Sequence, residues 1–249
     1  MNAKKLSFLL LILVAVACTN RSTSSEQDEM RHWNNVLQQI NALLLENKAR
    51  QTLDLAKQTL PEILESAEKN GTTDTLIYHA RKIFNACGNN YINTKQYKDG
   101  IDYMDSIGNH PLIREHCPHE LLSFKAGLNQ LYGNNPEAVR LAEDYLQLPV
   151  CTSANDFIRQ AEIISGVYMY SGNNLPKAIQ ILEKAIDVYR KGGNFPNMLR
   201  IMSRLGIYYH LSGEYEKAIA TNQEAIATYN DSIAPGNVVI AYGEQANLY

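Results

Sequence analysis

The 249-residue sequence contains no Gly-x-x-x-x-Gly-Lys-Ser/Thr loop, no Gly-x-Ser-x-Gly, no His-Glu-x-x-His, no Cys-x-x-Cys and no glycine fingerprint following a strand. Each of these patterns holds a phosphate, nucleophile or metal on one short piece of backbone, so their joint absence removes the enzyme classes that declare themselves by local spacing. No apolar run approaches the roughly 20 residues that cross a bilayer as a helix. There is no excess of basic charge either: 23 Lys and Arg stand against 26 Asp and Glu, a net charge of -3 that disfavours nucleic acid as a partner. With 45% apolar and 20% charged residues and only 8 Pro, the composition is that of a folded globular chain, which excludes disorder throughout, collagen and a polytopic membrane protein. The length admits one or two compact domains or a single repeat array.

The first segment reads as an address. Lys4 and Lys5 precede residues 6–17, an apolar stretch broken only by Ser7, and residues 1–17 therefore read as a signal peptide, too short for a spanning helix. The ending Ala15-Val16-Ala17-Cys18 resembles the lipobox of bacterial lipoproteins, in which the cysteine becomes the lipidated first residue; the plainer alternative is an ordinary cleaved signal with a coincidental cysteine. Cys18 is thus the expected lipidation site, carrying palmitate-type chains, with the chain anchored to a bacterial membrane and facing the periplasm. Loss of Lys4 and Lys5 from the 23 basic residues leaves 21 against 26 acidic ones, so acyl chains rather than charge hold it to the membrane. Residues 19–29 contain no apolar side chain, and 18–29 are expected to be a flexible tether, with folding from Met30 onward.

Three cysteines remain after Cys18, and an odd number cannot all pair internally. Cys87 falls on an apolar helical stripe and reads as a buried small hydrophobe, whereas Cys117 and Cys151 flank one expected hairpin and form a disulfide only if they meet. His110, His116, Cys117 and His119 are the densest group of possible metal ligands, but their spacing matches no common site and exposed loop residues are the plainer reading; neither metal nor cofactor is expected.

The rest of the chain repeats itself. GNNLPKAIQILEKAI from Gly172 and GEYEKAIATNQEAI from Gly213 differ by one residue in the turn, and Ala138, Ala178 and Ala218 recur at a stride of 40, as do Ala185 and Ala225. Each period contains two helices. In the clearest copy Leu199, Met202, Leu205, Gly206 and Tyr209 mark one face of the first, Gly213 breaks it, and Tyr215, Ala218, Ile219, Ala225 and Ile226 mark the second. Gly206, Ala218 and Ala225 are small because helices whose axes cross at about 8–10 Å leave no room for a branched side chain at closest approach. Neither helix buries its stripe alone, so neighbouring hairpins must stack.

This arrangement resembles the tetratricopeptide repeat, an all-α solenoid described as a right-handed superhelix of helical hairpins. The resemblance covers about 220 residues in five copies. Trp33, Ala49, Leu53, Ala56 and Pro61 mark the first; Phe84, Cys87, Gly88, Tyr91, Tyr97, Gly100 and Met104 the second; Leu122, Ala126, Gly133, Ala138 and Ala142 the third; Ile164, Tyr168, Gly172, Ala178, Leu182 and Ala185 the fourth. The stride is longer than that family's usual period, Asn222 and Asn230 replace its aromatic and proline, and residues 61–71 imply an extended or kinked helix. The start of a sixth hairpin follows Pro235 and Gly236, where Val239, Tyr242, Ala246 and Tyr249 lie 40 residues beyond Leu199, Met202, Gly206 and Tyr209, so that residues 30–249 form the solenoid.

The resemblance implies that the first helices line a groove that binds a protein or peptide partner. Its groove positions fall on Lys82, Asn85, Asn89, Asn93, Gln130, Arg159, Arg200, Ser203 and His210, a set of amides and cations suited to extended backbone or carboxylates, although the family's two-carboxylate clamp is incomplete and any one residue can be a solvated helix face. Two roles follow: the sensing module of a longer signal-transduction protein, or a stand-alone lipoprotein scaffold of an outer-membrane complex. Enzymatic activity is not expected.

The helical register has a direct test. Ala218→Trp is expected to overpack the hairpin and lower stability by about 1–3 kcal/mol, whereas Glu216→Ala on the outer face shifts it by about 0.5 kcal/mol or less, both read from the thermal or denaturant midpoint.

Overall fold

A computed structural model of the chain describes residues 24–149, 154–192 and 195–227. Within them lie eleven helices and no strand: α1 (Ser24–Leu45), α2 (Ala49–Asn70), α3 (Asp74–Asn93), α4 (Tyr97–Ile107), α5 (Pro111–His116), α6 (Pro118–Tyr132), α7 (Asn135–Gln147), α8 (Ala154–Tyr170), α9 (Leu175–Gly192), α10 (Phe195–Leu211) and α11 (Tyr215–Ala227). Apart from the short α5 they pair as five hairpins, each with a first (A) and a second (B) helix, at the five positions where the sequence repeats. The start of the sixth copy, Cys18 and Cys151 lie outside the described residues.

The turns inside the hairpins are built alike. Each has one residue with left-handed backbone, namely Asn47, Lys95, Gly133, Asn173 and Gly213. The next N–H then reaches back to the closing turn of the A helix: Lys48 to the Leu43 carbonyl, Gln96 to Tyr91, Asn134 to Asn129 and Glu214 to Tyr209. In the fourth hairpin the inserted residue lengthens the loop, and Asn174 reaches Tyr168. Glycine and asparagine occupy this conformation at little steric cost and satisfy the last helical carbonyls, which is why they recur there; Lys95 is the exception.

The chain divides into two compact units, residues 1–86 and 87–249. In the first, α1 and α2 pair and α3 contributes its residues up to Ala86. Trp33, Val36 and Ile40 of α1, Leu53, Ala56, Leu60 and Ile63 of α2, and Ala80, Ile83 and Phe84 of α3 are buried at helical spacing. Pro61 stands inside α2, which nevertheless continues to Asn70 as one 22-residue helix. The helix thus extends past Pro61, as residues 61–71 imply.

The tether boundary differs from expectation. Helix α1 begins at Ser24, so residues 24–29 are helical, and Glu29 accepts a hydrogen bond from Ser66 Oγ of α2 at 2.8 Å. Lack of apolar residues was a poor guide there: serines followed by Glu26, Asp28 and Glu29 suit a helix N-terminus, and a helix anchored further along by Trp33 extends past its buried stripe.

In the second unit the helices approach where side chains are smallest. A Cβ on Gly88 of α3 would fall 2.4 Å from the Phe124 ring of α6, and one on Gly127 of α6 would fall 2.6 Å from Ile163 of α8. Adjacent A helices thus meet through glycines. Within the last hairpin, a Cβ on Gly206 would lie 2.3 Å from Asn222 Oδ1, while Ala218 is fully buried and Ala225 nearly so. From Ala126 to Ala225 these contacts form one continuous hydrophobic core. Outside that cluster Cys87 is also buried, its thiol 3.8 Å from the Tyr103 hydroxyl.

A polar device recurs at the hairpin junctions. Lys177 of α9 lies 2.5 Å from Glu143 of α7 and 4.6 Å from the centre of the Tyr168 ring. One period later Lys217 lies 5.3 Å from the Tyr209 ring centre, and the Tyr209 hydroxyl donates to Glu183 of α9. Burial, followed by the neighbouring carboxylate, holds both phenols protonated above their ordinary value.

Neither amide atom of Asn222 has a hydrogen-bond partner among the described residues, although the side chain is fully buried. Gly206→Ala is therefore expected to drive this amide out of place and to lower stability by about 1–3 kcal/mol. In an Asn222→Ala background the added methyl has room, and the same change is expected to be neutral or stabilising by up to about 1 kcal/mol; a double-mutant cycle on the thermal midpoint measures the difference.

Candidate functional site

The sequence-derived groove positions lie on successive A helices, and each unit presents its own share. In the first unit Lys82 and Asn85 are half-buried on α3, and the Lys82 ammonium lies 5.7 Å from the centre of the exposed Tyr78 ring. In the second, Asn89 is half-buried and Asn93 is exposed at the end of α3. Gln130 sits half-buried in the last turn of α6, where its carbonyl accepts from Gly133, and His210 occupies the last turn of α10 with its ring 5.7 Å from that of Tyr215. Ser203 is different. It is buried, and its hydroxyl donates to the Leu199 carbonyl one turn back at 2.9 Å, so it fills a helix contact rather than an open groove.

Three of the expected residues converge. Arg159 Nε of α8 donates to Asn89 Oδ1 of α3 at 2.7 Å, two hairpins apart in the chain. The intervening A helix, α6, has Gly127 between Ile163 of α8 and Ile92 of α3, which lets its neighbours close over it. Arg200 of α10 then joins from the other side, with Nε 2.8 Å from Glu162 Oε1.

Glu162 organises this cluster. Its side chain is only 3% exposed, against 37% for Arg159 and 44% for Arg200. The Arg159 Nη1–Glu162 Oε2 separation is 3.6 Å, and Oε2 accepts no hydrogen bond among the described residues. Arg204, one turn after Arg200, donates from Nη1 to the Glu162 carbonyl at 3.0 Å. Three guanidinium groups thus surround one buried acidic residue. Burial pulls Arg159 below its ordinary pKa; Glu162 opposes that shift, and the nearby Arg200 and Arg204 add to it. Tyr208, one turn beyond Arg204, has its phenol pushed up by burial, with Arg204 acting in the opposite sense. Among the described residues the cluster presents several N–H donors to an acceptor.

Glu162 and Arg204 were not among the residues singled out from sequence. The available signal was the i, i+4 pair Arg200 and Arg204 on a helix that carries no Asp or Glu, together with a lone glutamate in an apolar stripe of α8. The His/Cys group is put to other uses. His110 accepts the Leu112 N–H at the start of α5, Cys117 is buried, and His119 Nε2 lies 2.7 Å from the Pro149 carbonyl. Among the described residues no group of three or more His, Cys, Asp or Glu is placed to hold a metal, and no helix is long and apolar enough to cross a membrane.

The comparisons bear on the same region. Residues 161–231 match the tetratricopeptide-repeat family model. Among solved structures, BtubC (BKLC) from P. vanneervenii is similar over 81% of this chain and 83% of its own, with a TM-score of 0.60 at 12% identity. The nearly identical TPR-like repeats of a Podosopora anserina protein described as a kinesin light chain are similar over 80% of this chain and 94% of theirs, with a TM-score of 0.51 at 12% identity. No curated protein matches the sequence. At such identities the likeness establishes the fold: an all-α, tetratricopeptide-type solenoid.

Glu162→Gln keeps the shape of the side chain and removes the counter-charge. It is expected to lower stability by about 1.5–3 kcal/mol, and 0.5 M salt is expected to restore more stability to the variant than to the parent, since repulsion among partly exposed arginines is screened; thermal melts at two salt concentrations measure both.

Proposed function

We propose that the chain is a membrane-tethered, periplasm-facing module that holds an extended segment of a protein partner along its A helices, and that it forms the sensing part of a longer signal-transduction protein. Tetratricopeptide repeats generally mediate protein–protein interactions and are typically non-catalytic. The observation that carries the binding reading is that three of the groove positions are linked through Glu162: Arg159 donates to Asn89, and Arg159 and Arg200 both lie against Glu162, whose carbonyl also accepts from Arg204. Amides there suit the donors and acceptors of a peptide backbone, and arginine forks suit its acidic groups.

Membrane tethering rests on Cys18 behind the apolar stretch 6–17, and the sensing role on the apolar stripe Val239, Tyr242, Ala246 and Tyr249, which continues the repeat. Both are tested in a bacterial host carrying the intact gene. Radiolabelled palmitate is expected in the wild-type protein and absent from Cys18→Ser, which moves to the soluble envelope fraction. The reading frame beyond Tyr249 is expected to encode a further helix, an apolar segment of about 20 residues and an output domain. An immediate stop codon, with co-purification of an outer-membrane complex, would replace the sensing role by that of a lipoprotein scaffold.

A further inference from the structure

The exposed apolar side chains of the second unit are not scattered. Among its described residues Leu131, Tyr132, Tyr170, Leu211 and Tyr215 all lie at the A–B turns, and Leu146 is the one large exposed hydrophobe elsewhere. The turns themselves need none of these rings: their left-handed residues are Gly133, Asn173 and Gly213, and Tyr132, Tyr170 and Tyr215 lie outside the hydrophobic core. Each of the three tyrosines is more than half exposed, one per hairpin. A tyrosine held open at a turn offers a rigid ring with only two side-chain torsions to fix, which suits recognition rather than folding.

Between the rings the surface is polar but uncharged. Residues 129–136 and 168–176, which contain the α6–α7 and α8–α9 turns, include no Asp, Glu, Lys or Arg. The charges at their margins are occupied: Glu137 by Arg140, Lys177 by Glu143, and Lys98, which lies near Tyr132, by Asp102. In the α10–α11 turn Glu214 pairs with Lys217 and accepts from Ser212. The two uncharged turns touch, with Ser171 Oγ donating to Asn135 Oδ1 at 2.8 Å. Asn174 Oδ1 likewise accepts the Lys177 N–H at 3.1 Å. Both exposed amides are thus fixed through their oxygens, and their N–H donors have no partner among the described residues.

This combination fits a neutral carbohydrate. The C–H bonds on the face of a sugar ring are weakly positive and stack on the negative face of an aromatic ring, while the sugar's hydroxyl oxygens accept from amide N–H groups. A charged ligand would find no counter-charge on these turns, and a wholly apolar one would leave the amides unpaired. Neighbouring A helices stand about 8–10 Å apart, so rings on successive turns are reached together by a chain of sugars and not by a single one. We propose that the A–B turns of the second unit form a docking edge for a neutral polysaccharide, with Tyr132 and Tyr170 as stacking platforms and Asn135 and Asn174 as donors. The edge uses none of the A-helix groove residues and does not rest on the reading of that face as a peptide groove.

The test is retardation of the full chain in native gels containing dissolved barley β-glucan, glucomannan or dextran, with polygalacturonate as the acidic comparison. At least one neutral polysaccharide is expected to slow the chain, and polygalacturonate is not. Tyr132→Ala and Tyr170→Ala are each expected to raise the half-retarding concentration by about threefold or more, and Tyr170→Phe, which keeps the ring, by less than about twofold. Tyr78→Ala, at an exposed tyrosine of the first unit, is expected to leave it unchanged. Thermal melts of the variants establish that they are folded, as substitutions of exposed side chains usually are. Retardation by none of the neutral polysaccharides overturns the proposal and leaves this edge to a protein partner. Retardation that ignores Tyr132 and Tyr170, or that polygalacturonate matches, overturns it as well, and a loss in Tyr170→Phe as large as in Tyr170→Ala overturns the stacking role. None of these results touches the peptide groove.

Discussion

Close approach of helices through side chains of almost no size is the constraint on which this structure depends. Gly88 against Phe124, Gly127 against Ile163 and Gly206 against Asn222 are contacts in which even one methyl has no space, and buried alanines extend the same rule along the B helices. Helices this close bury their apolar stripes against each other and against the next hairpin, so the core runs continuously from Ala126 to Ala225. Stability in such an array comes from each hairpin and its interface with the next, and the Lys–Tyr–Glu devices at Tyr168 and Tyr209 lie at those interfaces.

The candidate site is a by-product of the same packing. Because α6 is stripped to glycine at position 127, α3 and α8 close over it, and Asn89 and Arg159 come within hydrogen-bond distance although 70 residues separate them in sequence. Stacking of α10 beside α8 then sets Arg200 and Arg204 on Glu162. Anchored on Glu162, these arginines lose little further side-chain freedom when a ligand arrives, which is the advantage of a preorganised charged site over the same residues on a loop.

Much of the fold was legible before any coordinates, since the stride of 40, the paired apolar stripes and the small residues at fixed offsets all report local helical geometry. The tether was misjudged because polarity measures burial, and helix formation at a terminus answers to capping and charge as well. Ser203 was misplaced because offset arithmetic ignores how deeply a position is packed; a small hydroxyl on that face is drawn to its own helix. Glu162 and Arg204 were missed because their meaning lies in each other, across two helices whose contact no periodicity encodes.

By itself the sequence determined which segments are helical, where the chain turns and which side of each helix is apolar, because these follow from neighbours within a few residues. It also carried the Ala-Val-Ala-Cys ending, on which the proposed membrane tether rests. Only the tertiary structure decided which charges meet, because the angle and depth at which hairpins stack depend on every contact in the core.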